Sequence, residues 1–429
     1  MKKIKLTALE RSWILYDIGN SAFILLVSTL IPIYFNDLAT TGGLNESLYL
    51  SYWGYAGSVS TLLVAVIGPI CGTLADHRGF KKPIFMACML LGVLGCAAMG
   101  VTAGWLAFLV VFVLAKVGYS SSLVFYDAML PEVTTDERMD TVSSMGYAYG
   151  YIGSVIPFIL CLLLVLFGDK IGIGAGTAMV VSFLITAVWW FVCTQPLLKR
   201  YRQTAFVEHG GNPVSSTFRR LRDTFREVRQ QKHIFLYLLA FFFFIDGVYT
   251  IIDMATAYGT ALGLAPTGLL LALLLTQFVA FPCSIAFGRF SAKYDTGLLI
   301  KICILCYTGI TLFAVFLVSQ WQFWVLAVLV GMFQGGIQAL SRSYLGKIIP
   351  AERSGEYFGL MDICGKGASF LGTTLIAMVS QLTDGRSFHV FGLELQNENI
   401  AVGTLVVIFA IGFVLFCKAD KLNKQYIHI

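Results

Sequence analysis

Apolar residues run unbroken for about 20 positions at a time along most of this chain, with short polar clusters between the runs. At ~1.5 Å of rise per residue, such a run matches the ~30 Å hydrocarbon core of a bilayer. Inside lipid, backbone N–H and C=O groups must bond within their own segment or around a closed barrel. The runs lack the alternation of barrel strands, so they read as helices. Twelve spans are predicted, near 12–35, 49–73, 83–102, 104–126, 141–167, 174–195, 233–257, 264–288, 298–318, 321–345, 357–380 and 398–418. The longest polar stretch, 196–232, divides a first six-helix half, 1–195, from a second, 233–429.

Loop charge orients these spans by the positive-inside rule. With both ends in the cytoplasm, inside segments hold 26 of the 30 Lys and Arg residues, and outside loops hold two, Lys170 and Arg386. Lys116 and Lys366 lie within spans. A missed or false span would invert every later loop, so the asymmetry also supports the count. The halves repeat weakly. Gly288 follows Gly72 by 216 residues and Pro350 follows Pro131 by 219, and each proline precedes a Glu-Arg pair, Glu137-Arg138 or Glu352-Arg353. Two similar six-helix halves are a transporter signature. The expected fold class is therefore an all-α polytopic membrane protein of twelve transmembrane helices in two pseudo-repeats.

Composition narrows the function classes. The chain is 57% hydrophobic and 13% charged, with a mean hydropathy of +0.78, whereas soluble domains carry about 25% charged residues. A soluble enzyme is excluded on that ground. The net charge of +6 reflects inside loops and is no nucleic-acid signal. The ten cysteines all sit in apolar runs, so no disulfide framework is expected, and Cys303-x-x-Cys306 reads as lipid-facing or packing cysteines. The five histidines are scattered, and no metal or other cofactor is expected. The Gly359 to Gly365-Lys366 stretch has the wrong spacing for a phosphate loop and lacks its Ser/Thr. The polar start Met1–Arg11 leads into a run too long for a signal peptide core. In the central stretch, Phe218, Leu221, Phe225 and Val228 recur among Arg219, Arg220, Arg222, Arg226 and Arg229, which predicts a basic amphipathic helix on the inner leaflet.

Ionisable groups within spans carry the candidate chemistry, because each costs at least ~2.5 kcal/mol in hydrocarbon. They are Asp17, Lys116, Asp246, Asp253, Asp362 and Lys366. The third, sixth, ninth and twelfth spans have no charge in their cores. Lys116 and Asp246 fall near the midplane, about 12 residues into spans four and seven. Asp253 shares a helix face with Asp246, Asp17 shares one with Asn20, and Asp362 and Lys366 have i,i+4 spacing. Two readings are open. In one, Lys116 or Lys366 receives a carboxylate and Asp246 an ammonium, making a zwitterion site. In the other, the charges only neutralise one another. Asp17 either carries a coupling proton or bonds to Asn20 or to a neighbouring helix. Tyr119, Tyr147, Tyr149 and Tyr151 are candidate cavity aromatics. Gly146, Gly150 and Gly153 read as a helix-packing face.

Gly72-Thr-Leu-Ala-Asp76-His77-Arg78-Gly79-Phe80-Lys81-Lys82, following span two, resembles the G-x-L-A-D-R-x-G-R-K signature of the major facilitator superfamily. His77 and Phe80 depart from it, and the second copy from Gly288 to Gly297 lacks the acid at that place, so the second half is expected to lock its inner gate differently. The chain is further similar to one branch of that superfamily. Trp13-Ile-Leu-Tyr16-Asp17-Ile18-Gly19-Asn20-Ser21-Ala22-Phe23, Phe125-Tyr126-Asp127-Ala128 with Leu130-Pro131-Glu132, Gly335-Gly336-Ile337-Gln338-Ala339-Leu340-Ser341-Arg342-Ser343, and Gly359-Leu360-Met361-Asp362 with Gly365-Lys366 carry the likeness. That branch contains the autophagy-related vacuolar amino-acid effluxers and their bacterial relatives.

The resemblance implies a secondary transporter working by alternating access on a small polar solute, with amino-acid efflux first. Drug, sugar or peptide transport, or a non-transporting sensor or lipid-handling role, are the alternatives. Substrate-site candidates are Asp17, Asn20, Lys116, Tyr119, Asp246, Asp253, Gln338, Asp362 and Lys366. Gating candidates are Gly72, Asp76, Arg78, Gly79, Lys81, Pro131, Glu132, Arg138, Pro350 and Arg353, with Asp76 pairing with cations or with a facing helix N-terminus and the basic residues in the inner headgroups. Expected partners are the bilayer, a small-molecule solute and a coupling proton, with no nucleic acid. The expected state is a monomer in a bacterial plasma membrane.

Overall fold

The structure is a computed structural model that describes residues 5–44, 46–208, 223–224, 226–383, 388–390, 393–395 and 397–427. Twelve membrane-length apolar helical spans are present: Ala8–Thr41, Ser51–Ala75, Lys81–Val101, Trp105–Ala128, Asp136–Ile171, Ala175–Arg200, Lys232–Thr260, Thr267–Phe290, Thr296–Val315, Gln320–Ile348, Ala351–Leu382 and Glu398–Tyr426. They match the expected count and order, and several run a turn or more beyond the expected inner ends. Charged residues end an apolar run without ending a helix, which the backbone ladder continues into the headgroup zone.

Local sequence explains the ends and breaks. Thr7 and Glu10 form a reciprocal capping box at the start of span one, and Ser319 with Gln322 does the same for span ten. Span one divides into Ala8–Val27 and Leu30–Thr41. There the Ser28 and Thr29 hydroxyls donate to carbonyls one turn back, and Pro32 brings no N–H to the next turn. All ten cysteines are free thiols. Among the described residues there is one sheet, a hairpin of Phe388–Val390 against Leu393–Leu395. Its apolar–polar–apolar triplets fit a short strand pair. The predicted basic amphipathic helix lies largely outside the described residues.

Backbone contacts divide the chain into two units. Unit 1 is residues 1–135, 149–221 and 350–359, and unit 2 is residues 136–148, 222–349 and 360–429. Each unit takes in a short segment from the other sequence half. Within unit 1, span one packs on six, two on four, and three on four and six. Within unit 2, seven packs on twelve, eight on ten, and nine on ten and twelve. The pairings repeat with an offset of six helices, the mark of a duplicated architecture. In unit 1, Gly150 and Gly153 of span five lie so close to Ser21 and Ile18 of span one that an added Cβ would come within 2.8 Å and 2.6 Å. These two glycines of the predicted face are packing positions.

Candidate functional site

In unit 1 the C-terminal end of span two is locked to the start of span eleven. Gly72 approaches Gly355 so closely that a Cβ on Gly72 would lie 2.3 Å from the Gly355 carbonyl oxygen. Four residues on, fully buried Asp76 accepts the Gly355 N–H on Oδ1 at 2.8 Å and the Glu356 N–H on Oδ2 at 2.9 Å. These donors belong to the first turn of the helix Ser354–Leu382, which has no carbonyl of its own to meet them. The carboxylate also faces the positive end of that helix. Gly79 turns the chain at φ +80, a left-handed conformation that glycine adopts without strain.

Lys81 corrects an expectation. It is fully buried, not in the headgroups, and its Nζ donates to Glu132 Oε1 at 2.6 Å and Ser354 Oγ at 2.8 Å, with Asp76 3.8 Å away. Glu132, on the turn Leu130–Val133 that Pro131 opens, also accepts the Tyr201 hydroxyl at 2.9 Å and the backbone N–H groups of Thr204 and Ala205 at 2.6 Å and 3.1 Å. Gln203 Oε1 accepts from the Gly79 and Lys81 amides, and Val207 N–H donates to the Asp76 carbonyl at 2.9 Å. The segment after span six is thus strapped across the loop between spans two and three. Arg78 lies outside the lock, exposed, with its guanidinium 5.2 Å from the Phe206 ring centroid. Arg353 pairs with Glu356 at 2.8 Å, and Pro350 caps the turn before it.

Burial pushes the Asp76 carboxyl up to about 7, against the opposing pull of Lys81 and the two amides, and Glu356 adds to the rise. Burial likewise raises the Tyr201 phenol, with the Glu132 charge adding to it.

Unit 2 holds the counterpart with its polarity reversed. Gly288 again marks a close approach, here to Thr141 and Ser144 at the start of span five. The acid now sits on the visiting helix. Asp140 accepts Lys347 Nζ at 2.6 Å, the Thr296 hydroxyl at 2.6 Å and the Ser343 hydroxyl at 2.6 Å. Beside it, buried Arg342 donates through Nε to Ser143 Oγ at 2.9 Å and through Nη2 to the Ser143 carbonyl at 3.0 Å, with Tyr147 stacked 4.4 Å from its guanidinium. This is how the second half does without the missing acid. Arg342, counted by sequence as an inside-loop charge, is in fact buried within span ten. The sequence reading missed Asp140 because it began span five one residue later. The signal was present in the run Asp136-Glu137-Arg138-Met139-Asp140. Glu356, Ser354 and Gln203 were also missed, because their partners lie far along the chain. Arg138 is half-buried on the same segment as Asp140.

The membrane-embedded candidates fall in both units. In unit 1, the Asn20 side-chain amide donates to Asp17 Oδ1 at 3.4 Å, and Tyr16 bonds to Ser122 at 2.5 Å. Tyr119 packs against Phe23 and Trp190, and half-buried Lys116 places Nζ 5.9 Å from the Phe112 ring centroid. In unit 2, Asp246 is fully buried, Asp253 is exposed and Gln338 is half-buried. Lys366 is hydrogen-bonded to Asp362. Asp246 Oδ1 accepts the Gly372 N–H at 2.9 Å and the Thr250 hydroxyl at 3.5 Å. Among the described residues no cluster of His, Cys, Asp and Glu could hold a metal ion.

Twelve helices in two like sets of six, each with a polar lock beside its second-helix glycine, define a transporter of the major facilitator superfamily. The E. coli fucose:proton symporter FucP shares this fold with a TM-score of 0.70 at 14% identity, covering 96% of this chain and 97% of that one. A bacterial homologue of the iron transporter ferroportin shares it with a TM-score of 0.68, also at 14% identity and covering 96% and 98% of the two chains. The chain belongs to the family described as "Vacuole effluxer Atg22 like", whose model matches residues 43–420. The MFS-type transporter YxiO of Bacillus subtilis (strain 168) is 38% identical over 416 residues, covering 96% of this chain and 94% of YxiO. Autophagy-related protein 22-1 of Penicillium rubens is 27% identical over 271 residues, covering 57% of this chain and 45% of the fungal one. The chain therefore spans less than half the length of that fungal relative.

Proposed function

We propose that this protein exports small amine-bearing solutes, amino acids first, by alternating access across a bacterial plasma membrane, as a monomer with both chain ends in the cytoplasm. The observation that carries this reading is Asp246. It is a fully buried carboxyl midway along span seven, held by one oxygen and with no hydrogen-bond partner on the other. An acid in that position is suited to receive an ammonium. Lys366, on the helix that also supplies the Gly372 amide, is the candidate for the solute carboxylate once it leaves Asp362. The effluxer description of the family supports the outward direction, and the near full-length likeness to a Bacillus protein supports the plasma membrane. The 26-to-2 charge asymmetry supports the orientation. Asp76 and Asp140 are read as the two inner latches that must open in each transport cycle.

Counterflow of radiolabelled amino acids in proteoliposomes tests this reading. The wild type is expected to exchange at least one amino acid, and Asp246→Asn to lose that exchange at least tenfold. Normal rates in Asp246→Asn and Lys366→Ala alike would remove the site.

A further inference from the structure

The surroundings of Asp246 constrain what can travel with it. Oδ2 is buried and without a hydrogen-bond partner. Gly372 lies against both oxygens, and a Cβ there would come within 3.1 Å of Oδ1, 3.0 Å of Oδ2 and 2.3 Å of Thr250 Oγ1. Glycine is therefore what lets the carboxyl reach the backbone of span eleven.

The helices packed around span seven bring it no neutralising charge from the described residues. Span twelve offers the Phe409 ring beside Gly247 and the backbone of Gly412 beside Phe244. Its own acid, Asp420, pairs with Lys301 and Lys424 near the inner end. Span ten meets span seven where Tyr237 bonds the Ser341 carbonyl, and its Arg342 and Lys347 bond Ser143 and Asp140. On span eleven, Lys366 is six residues from Gly372, ~9 Å along the helix, and is bonded to Asp362. Span eight carries Arg289 at its inner end. On span seven itself the neighbouring acid is exposed Asp253, seven residues outward.

A lone carboxylate in hydrocarbon is costly, and breaking its solvation without a partner more so. Asp246 must then be accompanied when the carrier changes state, by a proton on Oδ2 or by a cation beside it. One free oxygen cannot serve both at once. We propose that Asp246 is a shared site that alternates between a proton and the solute's ammonium, which makes the protein an obligatory proton–solute exchanger. The proposal rests on the reading that the solute bears an ammonium group. On one side of the membrane the ammonium arrives, and the O–H proton leaves Oδ2 for water. On the other side a proton from water returns to Oδ2, and the ammonium departs. One proton moves for each solute, in the opposite direction. With a zwitterionic solute each turnover therefore carries one positive charge.

The test uses the full-length protein and an equimolar mixture of the twenty L-amino acids. Without solute, the infrared difference between wild type and Asp246→Asn is expected to show a protonated-carboxyl band, which the mixture abolishes. In proteoliposomes with an entrapped pH dye, solute movement is expected to be matched by about one opposing proton, and Asp246→Glu, but not Asp246→Asn, to retain the exchange. Gel filtration establishes that both variants are folded. Amino-acid flux without opposing protons, or no carboxyl band, overturns the exchange and leaves the amino-acid reading standing. A carboxyl band with no flux of any amino acid overturns that reading and the exchange with it, and leaves a proton site alone.

Discussion

Asp76 shows how one side chain can be both a structural tie and a titrating group. Its two oxygens satisfy two amides that the helix cannot, and bonds of this kind contribute about 0.5–1.5 kcal/mol each while the carboxyl holds its proton. Asn in its place keeps one acceptor and sets an NH2 donor against the second backbone N–H, a mismatch present even at pH 5, where the carboxyl holds its proton. Asp76→Asn is accordingly expected to lower the melting temperature in detergent at pH 5. Because burial raises this carboxyl to about 7, above its unfolded value of 3.8, the folded state holds the proton that the unfolded state releases. The wild type should therefore lose stability as the pH rises from about 4 to 7, and Asp76→Asn should lack that component. Melting curves of both proteins at pH 5 and 8 check the sign. If the variant loses as much stability as the wild type over that interval, Asp76 is not the group responsible. Gly72→Ala would force a methyl group to within 2.3 Å of the Gly355 carbonyl oxygen. That overlap is expected to cost about 1–3 kcal/mol, read as a drop in melting temperature.

Between helices, the two locks use one architectural position with opposite chemistry. In unit 1 the host loop carries the acid and the visiting helix offers bare amides, while in unit 2 the visiting helix carries Asp140 and the host offers Lys347, Thr296 and Ser343. Asp140→Asn leaves Lys347 without its carboxylate. Lys347 keeps about a quarter of its side chain exposed, so the expected cost is about 2 kcal/mol, the size of a charged hydrogen bond and well below that of a fully buried pair. The double variant Asp140→Asn with Lys347→Met should recover part of the loss. A double-mutant cycle measures this, and additive effects would mean the pair is not coupled. Each half of this arrangement had a different visibility in sequence. Gly72, Asp76 and Gly79 stood in a recognisable local string. Asp140 and Arg342 meet partners about 200 residues away, and no local pattern marks such a meeting.

For the molecule as a whole, orientation is the exposed claim. In a cysteine-free background, single cysteines at Gly43 and Gly172 are expected to react with an impermeant thiol reagent from outside, and one at Glu208 only after permeabilisation. The reverse pattern would invert the topology. Length and greasiness alone determined the twelve crossings, because a hydrocarbon core ~30 Å thick accepts little else. The duplicated halves were readable for the same reason, since repeated spacing survives in a linear string. What the linear string left undecided is which polar residues serve as ties and which remain open. Lys81 and Arg342 read as ordinary inner-side charges and proved buried, while Asp246 became distinctive only once Gly372 was seen against it. Burial and hydrogen bonding depend on neighbours that only packing brings together, so the chain's membrane crossings follow from sequence and the chemistry of its charged residues from the tertiary structure.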